Sequence, residues 1–225
     1  MALQDFIGDF YSPHERVLPE RKKLLNPLDV VVEDIFTEDT RLTAASQAAA
    51  CAVFTAIAVA GRGVFFWAPF IKPVCALVIL AGISFGAGWG FVTGAMAMLI
   101  SNFMFGQGPW TIFQMLGMGM AGAISGLLTQ SGFMPVRRVT LSLTGAVITI
   151  IIYGGIVNLS TLVFAMYDVS WQMVMALYLS GISVDIIHGV GTFVFLWILS
   201  GSILKETGRI KRRFGECSSS LRNTR

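Results

Sequence analysis

The middle of this chain is nearly without charge. Between residues 42 and 204 the only Arg, Lys, Asp or Glu residues are Arg62, Lys72, Arg137, Arg138, Asp168 and Asp185. Soluble domains carry about a quarter charged residues and place them at the surface. Here charged residues are 13% and hydrophobic residues 55% of 225. A water-soluble fold for the central region is therefore excluded. Cysteine is scarce as well, with Cys51, Cys75 and Cys217 forming an odd, widely spaced set. Two of the three lie in apolar runs, so they read as small packing residues rather than a disulfide or metal framework. There is no GxxxxGK[ST] loop and no HExxH pair, so neither ATP hydrolysis nor that kind of zinc site is expected of this chain. Met1–Arg41 also lacks the basic-then-apolar pattern of a cleavable signal, and the first hydrophobic run should remain in the mature protein.

The charge that is present lies at the ends. Residues 1–41 hold 5 basic and 9 acidic groups, and residues 205–225 hold 7 and 2. The chain thus divides into an N-terminal extension (1–41), a hydrophobic domain (42–204) and a basic tail (205–225) whose terminal SSSLRNTR is expected to be disordered. A membrane span needs about 20 apolar residues. Six runs qualify as candidates: 42–60, 73–86, 88–105, 110–130, one within 139–167 and one within 172–204. The second is too short to cross alone. Either residues 64–71 extend it across a proline break, or it is a short helix set inside the bundle. The expected fold class is all-α, a polytopic membrane protein built as a six-transmembrane-helix bundle.

Basic loops orient such a bundle. Arg137 and Arg138 follow the fourth run, and Lys205, Arg209, Lys211, Arg212 and Arg213 follow the sixth. The positive-inside rule puts both sets in the cytosol, and an even number of spans puts the N-terminus there too. Arg62 and Lys72 then fall on the outer side, against the rule. They are either snorkelling anchors or residues with a use.

Four features could carry chemistry. Alanines 44, 48, 52, 56 and 60 recur at i+4 along the first run, a groove of small side chains suited to close helix approach, either within the chain or to another subunit. The stretch from Gly106 to Met115 (GQGPWTIFQM) turns the chain and then places Trp110 and Gln114 on one helix face, an aromatic plane beside an amide, with Gln107 nearby. Tryptophan at that depth is also an ordinary interfacial residue. Asp185 and His188 stand at i, i+3 in the sixth run, where an aspartate costs about 2.5–3.5 kcal/mol unless paired or hydrated. A ligand contact, a proton relay and a structural polar cluster are all open for that pair; two groups are too few for a metal. Asn102 and Asn158 add polar groups inside apolar runs. Half of the 24 glycines lie between residues 82 and 132, for close helix packing or for space around a ligand.

Taken together, the alanine-every-fourth first helix, the outer KPV at 72–74, FGQGPWTIFQM before the fourth span and DxxH in the sixth resemble the substrate-binding subunits of energy-coupling factor (ECF) vitamin transporters. Within them, Lys72 to Gln114 looks most like the cobalamin-specific type. The resemblance covers roughly residues 42–204 and gives no account of the acidic extension. It implies a multi-pass subunit of a prokaryotic plasma membrane, with both termini cytosolic, that binds a vitamin near the outer face and is not an enzyme. Its implied partners are a transmembrane coupling protein and two ATPase subunits, which alone would hold ATP and magnesium; nucleic acid is not among them. The implied ligand is cobalamin or a related corrinoid, no cofactor or metal being held by the chain itself. The implied docking face is Ala44, Ala48, Ala52, Ala56 and Ala60. The implied ligand contacts are Phe66, Trp67, Phe70 and Lys72 from the first outer loop, Gln107, Trp110 and Gln114, Asp168 and Trp171 from the last outer loop, and Asp185 and His188. Rival readings are the same subunit type for another vitamin or precursor, a proton-coupled secondary transporter using Asp185 and His188, and an intramembrane hydrolase or transferase, which lacks an evident nucleophile.

Overall fold

A computed structural model describes residues 42–68, 71–133, 137–165 and 170–223. Among them every regular element is helical. In chain order these are α1 (Ala44–Val64), α2 (Val74–Phe85), α3 (Ala87–Phe105), α4 (Trp110–Gln130), α5 (Arg138–Ile148), a π-helical segment (Thr149–Gly154), α6 (Gly155–Ala165) and α7 (Trp171–Asn223). The elements α5, π and α6 run on as one apolar span from Arg138 to Phe164. With it, α1, α3, α4 and α7 make, among the described residues, five helices long and apolar enough to cross a membrane. The protein is a membrane-embedded helical bundle.

Local chemistry sets the boundaries. Thr43 caps α1, its hydroxyl accepting from the Ser46 amide. Gly86, at φ 96°, breaks what would otherwise be one helix into α2 and α3. Gly106, at φ 126°, ends α3, and Pro109 then leads into α4. α7 continues to Asn223 with no break at residue 204, so the tail differs from the span in composition only. The serine run expected to be disordered is thus drawn into the end of a helix already nucleated upstream.

The short second run resolves as a buried inner helix. All 12 residues of α2 are buried, and the element is apolar on every side. At about 18 Å it cannot cross a hydrocarbon core of about 30 Å. It packs instead against α1, α3, α4 and α7. Residues 64–71 do not extend it, because α1 reaches Val64 and the chain then turns at Phe65–Ala68. Ile79, Leu80 and Ile83 of α2 form the centre of the core with Leu141 of α5 and Leu196 of α7.

The glycines of this region serve packing. A side chain at Gly82, Gly90 or Gly122 would run into the backbone of a facing helix, as would one at Gly94 or Gly126. α2, α3 and α4 therefore cross in backbone contact, the mode by which helices associate in lipid without a hydrophobic drive between them.

Candidate functional site

The α1 end, the α3–α4 turn and the turn at 65–68 meet at one end of the bundle, and Arg62 is where they join. Its side chain turns into the bundle rather than out to the interface. The Nη1 nitrogen donates to Ser101 Oγ (2.5 Å) and Asn102 Oδ1 (2.7 Å) of α3, and touches Met98 Sδ at 3.7 Å. The guanidinium carbon lies 5.8 Å from the Phe105 ring centre. Asn102, only 1% exposed, passes the connection on. Its Nδ2 donates to Thr111 Oγ1 (2.9 Å) and Gln114 Oε1 (2.7 Å) of α4. Thr111 in turn donates to Gln107 Oε1 at 2.7 Å. A continuous hydrogen-bond chain thus links a cation on α1 to Gln107 in the turn before α4 and to Gln114 within α4. In a low-dielectric interior such chains hold their members in fixed orientation.

A second polar cluster lies deeper. Asn158 of α6 donates to Asp185 Oδ2 of α7 at 2.8 Å. Glycine makes the room: a Cβ at Gly154 would meet the Asp185 carboxylate, and one at Gly181 the Asn158 amide. His188 packs edge-on against Tyr153, ring centres 5.8 Å apart. Thr192 donates to the His188 carbonyl (2.9 Å), and Thr149 bridges Thr192 (3.2 Å) and the Cys75 sulfur (3.0 Å). Cys51 and Cys75 are both buried and free of disulfides.

Tyr153 joins the two clusters. It sits in the π-helical segment, within electrostatic reach of both Arg62 and Asp185. π-helical turns inside α-helices frequently mark functional sites. Lys72 is close enough to interact electrostatically with both Arg62 and His188. Burial, with Arg62 adding repulsion, holds its amine below the usual lysine range.

No protein-family model, curated protein or solved structure matches this chain.

The expected site residues divide into three groups. Gln107 and Gln114 belong to the Arg62 chain, while Asp185 and His188 lie by Tyr153, with Lys72 near His188 and Arg62. Phe66 stacks on Phe105 (5.6 Å) and lies edge-on to Trp67, which is 89% exposed; Trp110 is exposed beside Gly108. Phe66 reaches the cluster through Phe105, whose ring lies beside Arg62, while Trp67 and Trp110 turn outward. Trp171 is exposed at the start of α7, about 21 Å of helix from Asp185, so the two cannot touch one small ligand together. Phe70 and Asp168 lie outside the described residues. Arg62, Thr111 and Tyr153 were not among the expected site residues. Arg62 had a signal, a cation against the positive-inside rule; Tyr153 had none, because no sequence pattern announces a π turn.

The alanine stripe faces outward. Ala44, Ala48, Ala52, Ala56 and Ala60 are all exposed, while Cys51, Thr55 and Ala58 turn to the core. From Ala48 to Ala60 the stripe floors an apolar groove of about 830 Å³, whose other wall is Val92, Met96, Ile100 and Met104 of α3. Trp89 Nε1 donates to Gln47 Oε1 at 2.7 Å and pins the far end of the groove.

Proposed function

We propose that this chain is the membrane-embedded substrate-binding subunit of an ATP-driven ECF-type vitamin importer. It binds cobalamin or a related corrinoid at the outer face. The observation that supports the reading most is the outward-facing alanine stripe: five small side chains at i+4, all exposed, flooring an apolar groove. Small residues turned toward lipid leave a surface that gains little from acyl chains and much from a second helix. The transmembrane coupling protein is the helix donor in this reading, and two ATPase subunits supply the energy.

The ligand end supports the same account. Polar side chains held by Asn102 share this end of the chain's bundle with the exposed aromatics Phe66, Trp67 and Trp110, a mixture suited to a large, flat, amide-rich molecule. The loaded subunit then rotates in the membrane, and its outer mouth opens inward when docked. The chain performs no covalent step. Purified protein titrated with cobalamin and with other vitamins tests ligand and family together.

A second reading, proton-coupled transport, draws on the Tyr153, Asp185 and His188 cluster. It is the weaker one. The Asn158 amide holds the Asp185 carboxylate in place, as a fixed structural pair would.

A further inference from the structure

Arg62 is held by half of its guanidinium. All of its hydrogen bonds leave from Nη1, to Ser101, Asn102 and Met98. The Nη2 and Nε edge has no hydrogen-bond partner among the described residues. That edge presents two parallel N–H groups, the geometry that grips a carboxylate or phosphate with two bonds. Fixing one nitrogen to α3 removes the side chain's freedom before any ligand arrives, which lowers the entropic cost of binding.

The charge around it is unbalanced. Lys72 lies within electrostatic reach of Arg62 and makes no ion pair or hydrogen bond among the described residues. Asp185, the carboxylate that shares Tyr153 as an electrostatic neighbour with Arg62, is engaged by Asn158. His188 faces Lys72 and Tyr153 and brings no negative charge. Two cations thus share one mouth, each without an acid beside it among the described residues. Cations inside a membrane protein are costly when uncompensated and are commonly paired or functional.

We propose that the Nη2/Nε edge of Arg62 and the ammonium of Lys72 form a receptor for one anionic group, a carboxylate or phosphate. The group is carried by the ligand that enters at this end. Neutral ligands of the same shape are discriminated against, because they leave both cations unmatched. The inference rests on the uptake reading for its assumption that this end is the ligand mouth, and it adds a chemical class that the reading does not contain.

The test is a set of matched titrations on the full chain in phospholipid-free detergent. Each probe with an anionic group is paired with a counterpart that lacks it: cobalamin, whose phosphodiester is anionic, with cobinamide, which lacks the phosphodiester and its nucleotide; pantothenate with panthenol; biotin with biotinamide. The anionic member of at least one pair binds about tenfold tighter or more. Arg62→Gln and Lys72→Gln each reduce that preference, the affinity of the anionic member falling more than that of its counterpart. Arg62→Lys, which keeps the charge and removes the fork, loses part of it and guards against misfolding of the glutamine variant. If only pantothenate or biotin shows the preference, the receptor stands and the corrinoid reading falls. Phosphatidylglycerol that co-purifies with the wild type and not with Arg62→Gln, counted by native mass spectrometry, keeps the receptor and gives its occupant as lipid phosphate. Equal affinity within every pair, or a preference that survives both glutamine variants, overturns the proposal, as does silence across the panel without bound anionic lipid.

Discussion

Arg62 Nη1 and Asn102 Oδ1 lie 2.7 Å apart, joining the last turn of α1 to the last turn of α3. Asn102 can serve there because its amide faces two ways, accepting from the guanidinium and donating to Thr111 and Gln114. Asn102→Leu keeps the volume and removes both functions. It takes one of the two oxygen acceptors from the half-buried Arg62 guanidinium, leaving Ser101, and strips the Gln114 side-chain carbonyl of its donor, at about 1–3 kcal/mol. Thermal unfolding in detergent should show the loss, and an unchanged midpoint would mean that the chain contributes no stability.

The alanine stripe makes a separable prediction. Ala48→Leu with Ala52→Leu fills the groove floor with side chains that face lipid rather than the core. Ligand affinity of the isolated subunit should stay within about twofold. Co-purification with the coupling protein, and uptake by cells that carry it, should be lost. Uptake that survives the double change would place the docking face elsewhere.

Trp110→Ala and Asp185→Asn probe the mouth and the deeper cluster. Asparagine can still accept from Asn158, so the fold is kept while the charge goes. Each change should weaken cobalamin binding about tenfold without loss of expression. Normal affinity in both would remove them from the site. Uptake in cells offers a further contrast: under the proton-coupled reading, uncouplers abolish transport even where no ATPase partner is present.

Lys72 sets a pH dependence. Burial and then Arg62 lower its pKa, so the folded chain loses this proton at a pH where the unfolded chain still holds it. Between that lowered value and the ordinary 10.5, the charged form's penalty is relieved and stability rises with pH. Affinity for an anionic probe runs the other way and falls over the same alkaline window, because the ammonium is lost. Lys72→Gln should flatten both trends. Curves that stay parallel for variant and wild type would show that Lys72 is not the group titrating.

Much of the bundle was legible in the sequence because membrane spans are a matter of length and polarity. The runs at 42–60, 88–105 and 110–130 match α1, α3 and α4 to within a few residues at each end, where caps rather than hydropathy decide. The run at 73–86 was readable as a short inner helix, one of two alternatives, and only the surrounding helices could select it. Gly82, Gly90 and Gly122 were ambiguous between packing and ligand space, since glycine leaves room for either a backbone or a molecule.

The polar cluster was legible by residue and not by partner. Asn102 and Asn158 stood out as amides in apolar runs, yet their partners lie on other helices, at Arg62 and Asp185. Such pairings depend on helix rotation and depth, which a linear pattern does not encode. Tyr153 faces the cluster from a π-helical segment whose register departs from the 3.6-residue repeat, so helical periodicity gives no guide to its neighbours.

The most direct test of the central claim is calorimetric titration of the purified, detergent-solubilised chain with cobalamin. The account predicts saturable binding at a single site, weakened by Trp110→Ala and untouched by Ala48→Leu. An absence of heat and of thermal stabilisation from well-folded protein would contradict it.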